Sequence, residues 1–342
     1  MRHPHGLRAA AGGTERDIAV AHNLSPYISV YPWSSGFGTK YANPATLPPD
    51  GGINQPRGVA FSPDGANIAT VHNASPFISV YPWSSGFGTK YANPATLPVG
   101  GGRGVAFSPD GANIAVTHAT SPYISVYPWS SGFGTKYADP ATLPTGVGWG
   151  VTFSPDGANI AVAHATSPYI SVYPWSSGFG TKYANPATLP TGVGYGVTFS
   201  PDGANIAVAH HSGAQISVYP WSSGFGTKYA NPATLPGVLV GWGVTFSPDG
   251  ANIAVAHRSS GAVISVYPWS SGFGTKYADP ATLPGATEAY GVAFSPDGAN
   301  IAVAGRTVTI SVYPWSSGFG TKYADPATVP TGIGNGVAFS PL

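Results

Sequence analysis

The side chains able to do chemistry in this chain are few and regularly placed. Six histidines, His22, His72, His118, His164, His210 and His257, end equivalent stretches, and Gly305 stands in the seventh. Histidine is the commonest metal ligand, so six of them invite a metal reading. Ligands at the Zn–N distance of about 2.0–2.1 Å must converge on one point. Side chains on a strand about 4.8 Å outside an inner one, splayed around a ring, stand roughly 10 Å apart. They are expected to hydrogen-bond at a strand end within their own units, leaving the adjacent pair His210 and His211 as the best metal candidate. No metal and no cofactor are expected. Six of the 13 acids, Asp64, Asp110, Asp156, Asp202, Asp249 and Asp297, sit in Pro-Asp-Gly, where turn formation accounts for them, and Asp139, Asp279 and Asp325 precede proline. Only Asp50 and Glu288 fall in variable loops. There is no cysteine, which removes disulfides, thiolate ligation and thiol catalysis. No G-x-S-x-G elbow is present, and Gly178-Phe179-Gly180 has no helix after it to hold a phosphate.

What positions these residues is a repeat. The phrase YPWSSGFGTKYA recurs seven times unchanged, from Tyr31, Tyr81, Tyr127, Tyr173, Tyr219, Tyr267 and Tyr313, mostly 46 residues apart. The triplet FSP also occurs seven times, from Phe61 to Phe339. A period in the forties marks a repeat architecture. In the unit from Gly150, the run Gly150–Ser154 reads as a first strand and Pro155-Asp156-Gly157 as a turn. Asn159–His164 follows as a second strand and Tyr169–Tyr173 as a third, ended by Pro174, which cannot donate to a ladder. Phe179–Tyr183 reads as a weaker, outer fourth strand. No window has helical periodicity. The expected fold is all-β, a seven-bladed β-propeller of four-stranded antiparallel blades. Asp17–His22 reads as a second strand and Gly336–Pro341 as a first, so the C-terminal strand is expected to complete the N-terminal blade and close the ring. Residues 1–13 are expected to be a flexible segment and 14–342 one propeller domain.

The charge balance narrows the partners. Only 8% of the residues are charged and the formal net charge is +1, which argues against nucleic acid and anionic membranes as partners. The seven lysines occupy one slot per unit, an even ring that serves solubility. No stretch approaches a membrane-spanning run, and Met1 to Gly13 lacks the apolar core of a signal peptide; the compartment stays open. No membrane insertion and a monomer are expected.

The pattern GVTFSPDGANIAVAH followed by ISVYPW resembles the repeats of bacterial WD40-like and YVTN (lactonase-like) propellers, most closely at Gly102–Gly111. The resemblance spans about Thr14 to Leu342 and implies blade architecture. It departs from WD40 repeats in carrying Tyr173-Pro174 for Trp-Asp and in lacking Gly-His before the first strand. Such propellers include lactonases, dehydrogenases and non-catalytic scaffolds, so the resemblance implies little about activity.

The units differ in two places. The residue before Gly-Val is Arg57, Arg103, Trp149, Tyr195, Trp242, Tyr290 or Asn335, and the loop after the second strand carries His211, Arg258 or Arg306 in three of the units. Strand direction puts both on one face, around the mouth of the central channel. Drift in loops accounts for some variation, but it scatters toward small polar residues, whereas Trp, Tyr and Arg are interface anchors. The reading at this level is a non-catalytic propeller that binds a protein, peptide or glycan at the mouth, with His211, Arg258 and Arg306 as secondary contacts. The alternatives are a lactonase-like hydrolase with its active site in the channel, or a purely structural repeat protein.

Overall fold

A computed structural model describes residues 16–49, 58–237, 239–307 and 309–341. Among them are twenty-one strands and no helix, arranged as seven three-stranded antiparallel sheets. In the fourth blade Gly148–Phe153 is the inner strand, Asn159–His164 the middle and Ile170–Pro174 the outer. Ile160 pairs with Phe153 on one side and Tyr173 on the other. The register slips by one residue at His164, a bulge that re-aims the start of the inner strand at the channel mouth.

The turns follow from their residues. Gly157 adopts φ +71°, and the Asp156 carboxylate accepts from the Ser154 hydroxyl at 2.5 Å and the Ala158 amide at 3.0 Å. Those bonds, the serine's first, hold the Asp156 carboxyl below its ordinary range.

The expected fourth strand is a correction. Phe179–Tyr183 does not form a ladder; it is tied to the outer strand by an isolated bridge from Trp175 to Phe179 and by two amide bonds, Gly180 N–H to Pro174 and Tyr183 N–H to Val172. Pro174 has no N–H to return one of these bonds, so a continuous ladder cannot form.

Closure runs as the sequence implies. Arg16–His22 is the middle strand of the first blade, between Ile28–Trp33 and the C-terminal Gly334–Phe339. Val20 lies opposite Val337 and Ile18 opposite Phe339, and Ser340 exchanges two bonds with Asp17. The expected boundaries at 13 and 14 lie outside the described residues.

The core lies between blades. Ala161, Ala163, Ile170 and Val172 of the fourth blade pack on Val197, Phe199, Ile206, Tyr219 and Trp221 of the fifth. One blade offers small alanines and the next fills them with Ile, Phe and Trp, which lets two twisted sheets approach at native density. Tyr173, fully buried, also donates to the Thr142 carbonyl at 2.8 Å and ties its blade to the preceding unit.

Candidate active site at the channel mouth

The histidines stay within their blades. His164 Nε2 lies 3.0 Å from Ser171 Oγ on the outer strand, and its other nitrogen faces the loop at Thr145 Oγ1, 3.5 Å away. His118, His210 and His257 make the same serine contact. Burial, only partly offset by hydrogen bonds, lowers all four to about 4, so they are neutral ties at neutral pH. Among the described residues no group of three or more His, Asp or Glu is arranged to hold a metal. His211 is exposed, pairs with Ser212 Oγ at 2.6 Å and does not line the channel.

The inner strands converge on a channel of roughly 200 Å³. Each carries a glycine just after the variable slot, because the strands approach until only hydrogen fits. A Cβ on Gly150 would lie 2.5 Å from the Tyr195 carbonyl, and one on Gly104 2.6 Å from that of Trp149. This narrowing brings the slot side chains together. Arg103, Trp149, Tyr195, Trp242, Tyr290 and Asn335 all line the channel; Arg57 lies outside the described residues.

The slot residues form a stacked arc. The Arg103 guanidinium lies 4.8 Å from the Trp149 ring centre, and successive centroids from Trp149 to Tyr195, Trp242 and Tyr290 are 5.2, 4.2 and 5.2 Å apart. The polar atoms left over there are all donors. Arg103 Nε and Nη1, Trp149 Nε1, Trp242 Nε1 and Asn335 Nδ2 are buried without an acceptor. Buried polar groups are nearly always paired, so the lining is short of oxygen. Burial lowers the Arg103 pKa from its ordinary value.

At one end of the arc sits a carboxylate. Glu288, only 7% exposed, is the one buried acid among the described residues. Its Oε2 accepts from Tyr290 Oη at 2.6 Å and Arg306 Nη1 at 3.3 Å, and its Oε1 pairs with Arg258 Nε at 3.2 Å. Both arginines are about half exposed. Backbone pairing of Glu288 with Arg258 and the Arg306 N–H bond to the Glu288 carbonyl bring the three together from adjacent blades. Burial first, then the bond to Glu288 and its charge, raises the Tyr290 pKa well above the phenol range, so Tyr290 stays a neutral donor.

The structure thus ties two of the three expected secondary residues, Arg258 and Arg306, to Glu288, and this cluster joins the channel lining through Tyr290. The sequence signal for Glu288 was its place as one of two acids in the variable loops; Asp50, the other, lies outside the described residues.

No protein-family model and no curated protein matches the chain. Solved structures do. The Pseudomonas aeruginosa periplasmic gluconolactonase superposes with TM-score 0.73 at 17% identity, covering 96% of this chain and 99% of that one. A Bacteroides uniformis protein provisionally named a 6-phosphogluconolactonase gives 0.69 at 17% identity, over 96% and 100%. A Lactobacillus plantarum protein gives 0.73 at 15% identity, over 95% and 99%. The fold is that of a lactonase-like seven-bladed propeller. These neighbours also correct the reading as a non-catalytic binding propeller and not an enzyme: the P. aeruginosa and B. uniformis structures are named for lactone hydrolysis, the alternative already in view. Catalysis carries little weight in the sequence because Glu288 is isolated in the chain from Arg258 and Arg306 and meets them only through the ring.

Proposed function

We propose that the chain hydrolyses the ester bond of a small lactone at the channel mouth. The observation that carries this reading is Glu288, the one buried acid among the described residues, hydrogen-bonded to Tyr290 and flanked by Arg258 and Arg306. The lactonase names of structures sharing the whole ring support it. So does the donor-only lining, since a lactone presents carbonyl, ring and hydroxyl oxygens, all acceptors. At roughly 200 Å³ the channel lies below the ~300–1,000 Å³ of drug-sized pockets and suits one small ring.

The roles follow from charge. A lactone carbonyl held against the exposed guanidiniums of Arg258 and Arg306 is polarised, and the oxyanion that forms there is stabilised by charge already in place. Oε1 of Glu288, engaged once where Oε2 is engaged twice, keeps a lone pair for the proton of an attacking water. Water oxygen bonds to the carbonyl carbon as its proton passes to Glu288. The tetrahedral species then collapses, the ring C–O bond breaks, and the proton returns from Glu288 to the departing alkoxide. The product is the open hydroxy acid. The arc from Trp149 to Tyr290 offers ring faces on which the substrate stacks.

Acid release from a panel of aldonolactones, followed by pH-stat, tests this. Wild type should accelerate ring opening of at least one above the spontaneous rate. Glu288→Gln should reduce kcat at least about 100-fold, the usual worth of a general base, with little change in Tm. No acceleration on any lactone, or full activity in Glu288→Gln, would refute the assignment.

A further inference from the structure

The opposite face, where the Pro-Asp-Gly and Ser-Ser-Gly turns lie, carries a site repeated between blades. A polar cleft of about 470 Å³ opens between the second and third blades and again, at the same size, between the fourth and fifth. One of about 320 Å³ lies between the seventh and first. In the first of these, Asn67 and Asp64 of one blade face Asp110, Trp129, Ser130 and Ser131 of the next.

Three observations point to a ligand there. First, the exposed phrase that lines these clefts is as uniform as the buried outer strand and more uniform than the middle strand. Ser176, Ser177 and Thr181 are exposed and have identical counterparts in every unit, while the buried middle strand varies through IATV, IAVT and IAVA. Packing cannot be what holds the exposed positions constant. Second, the second serine of each copy, Ser35 to Ser317, sits at φ 53–59°, the left-handed region. Glycine takes that conformation at no steric cost and serine does not, yet no copy has glycine. The Ser177 hydroxyl has no partner within the described chain, and backbone strain retained at every copy is a mark of a functional site. Third, some of the cleft floors hold unpaired polar atoms on side chains more than nine-tenths buried. These are the Trp33, Trp129 and Trp175 indole N–H groups and the Asn113, Asn252 and Asn300 Oδ1 atoms.

One cleft shows what the floor accepts. Between the first and second blades Asp17 replaces the usual asparagine, and its carboxylate takes the Trp83 indole N–H at 2.8 Å. Elsewhere asparagine stands there, and at Asn67, Asn159 and Asn205 its Oδ1 accepts from a tyrosine hydroxyl at 3.0–3.1 Å instead of from the indole. The cleft between the third and fourth blades has Trp175 Nε1 without an acceptor and Asn113 Oδ1 without a donor. A hydroxyl satisfies both, accepting from the indole and donating to the amide.

From these features we propose that the clefts between blades are a multivalent set of equivalent saccharide-binding sites, separate from the channel. The ligand must be rich in hydroxyls and uncharged: six turn carboxylates from Asp64 to Asp297 ring this face and disfavour phosphates and nucleic acids. Asp17 fills one of the seven clefts, leaving up to six. Equivalent sites on one rigid ring raise avidity for a repeating glycan about 10²–10⁴-fold over one site.

The full-length protein is applied to a glycan array and a peptide array, and any glycan retained is titrated calorimetrically as its free oligosaccharide. Glycan binding with more than one site per chain is expected. Changing the seven left-handed serines to glycine should leave Tm equal or higher while weakening binding at least tenfold, which a merely structural turn would not do. Asp17→Asn should add one site. Lactone hydrolysis should be unchanged in both variants, so failure here and failure of the channel reading are separable. Retention of peptides alone, a single site indifferent to the glycine changes, or a sugar-soaked crystal with only water in the clefts would each overturn the proposal.

Discussion

The histidines carry the clearest consequence of burial at the scale of one residue. His118, His164, His210 and His257 hold folded-state pKa values of about 4, lowered from 6.5 chiefly by burial. Because the folded value lies below the unfolded one, the unfolded chain takes up protons first as pH falls. The stability these histidines give in neutral form is complete above about pH 6.5 and is lost between there and pH 4. The limiting loss is on the order of 3 kcal/mol apiece. The turn aspartates act in a separate window, since their lowered values affect stability only below the ordinary carboxylate range. Denaturant titrations should therefore show ΔG of unfolding flat from pH 8 to 7 and falling steeply from 6.5 to 4.5, with uptake of more than one proton per chain. A flat profile down to pH 4.5 would mean the imidazoles are solvated.

At the scale of the strand, the channel is a consequence of glycine. Gly150 is needed because the next inner strand stands where a side chain would go: a Cβ there meets the Tyr195 carbonyl at 2.5 Å and the Val197 amide at 3.2 Å. Both are backbone atoms and neither can rotate aside. Gly150→Ala should then cost about 1–3 kcal/mol through overpacking and shift the near-UV signal of the stacked Trp149, Tyr195 and Trp242. A variant with wild-type Tm and spectrum would show that the inner strands sit farther apart. The same reasoning explains why tryptophans two strands away behave differently. Trp175 is wedged edge-on between Tyr137 of the preceding unit and Phe179 of its own, so it holds blades together, whereas Trp149 and Trp242 stack on channel neighbours.

For the whole molecule the decisive contact is the closure of the ring. Val337 and Phe339 are buried against Ile18, Val20 and the seventh blade's Ile310 and Val312. Removing residues 334–342 deletes both side chains, uncovers the Ile18 and Val20 that pack on them, and leaves the first blade's middle strand with an unpaired edge. Each buried side chain is worth about 1.5–3 kcal/mol, and an open edge pairs with other chains. The truncated protein should melt at least about five degrees lower and elute partly as oligomers on size exclusion. Unchanged melting together with a monomer peak would contradict closure through this strand.

The sequence by itself determined the architecture, because its signals are local and repeated seven times. Pro-Asp-Gly sets each hairpin turn, Pro174 and its equivalents stop each outer strand, and the unpaired strands at the two ends imply the latch. It also placed the variable residues at one mouth, since strand direction is a local property. The fourth strand misled because β-like residues at Phe179–Tyr183 say nothing about whether a neighbour's amides are free. The cluster proposed as the active site was decided by tertiary structure alone. Glu288 is an ordinary loop acid in the chain, 30 residues after Arg258 and 18 before Arg306, until the ring packs one blade's loop against the next. The blade clefts share that origin: Asn67 and Trp129 belong to different units, and their meeting depends on the angle between blades. Period and turn chemistry act along the chain, whereas a site that spans two blades exists only after the ring has closed.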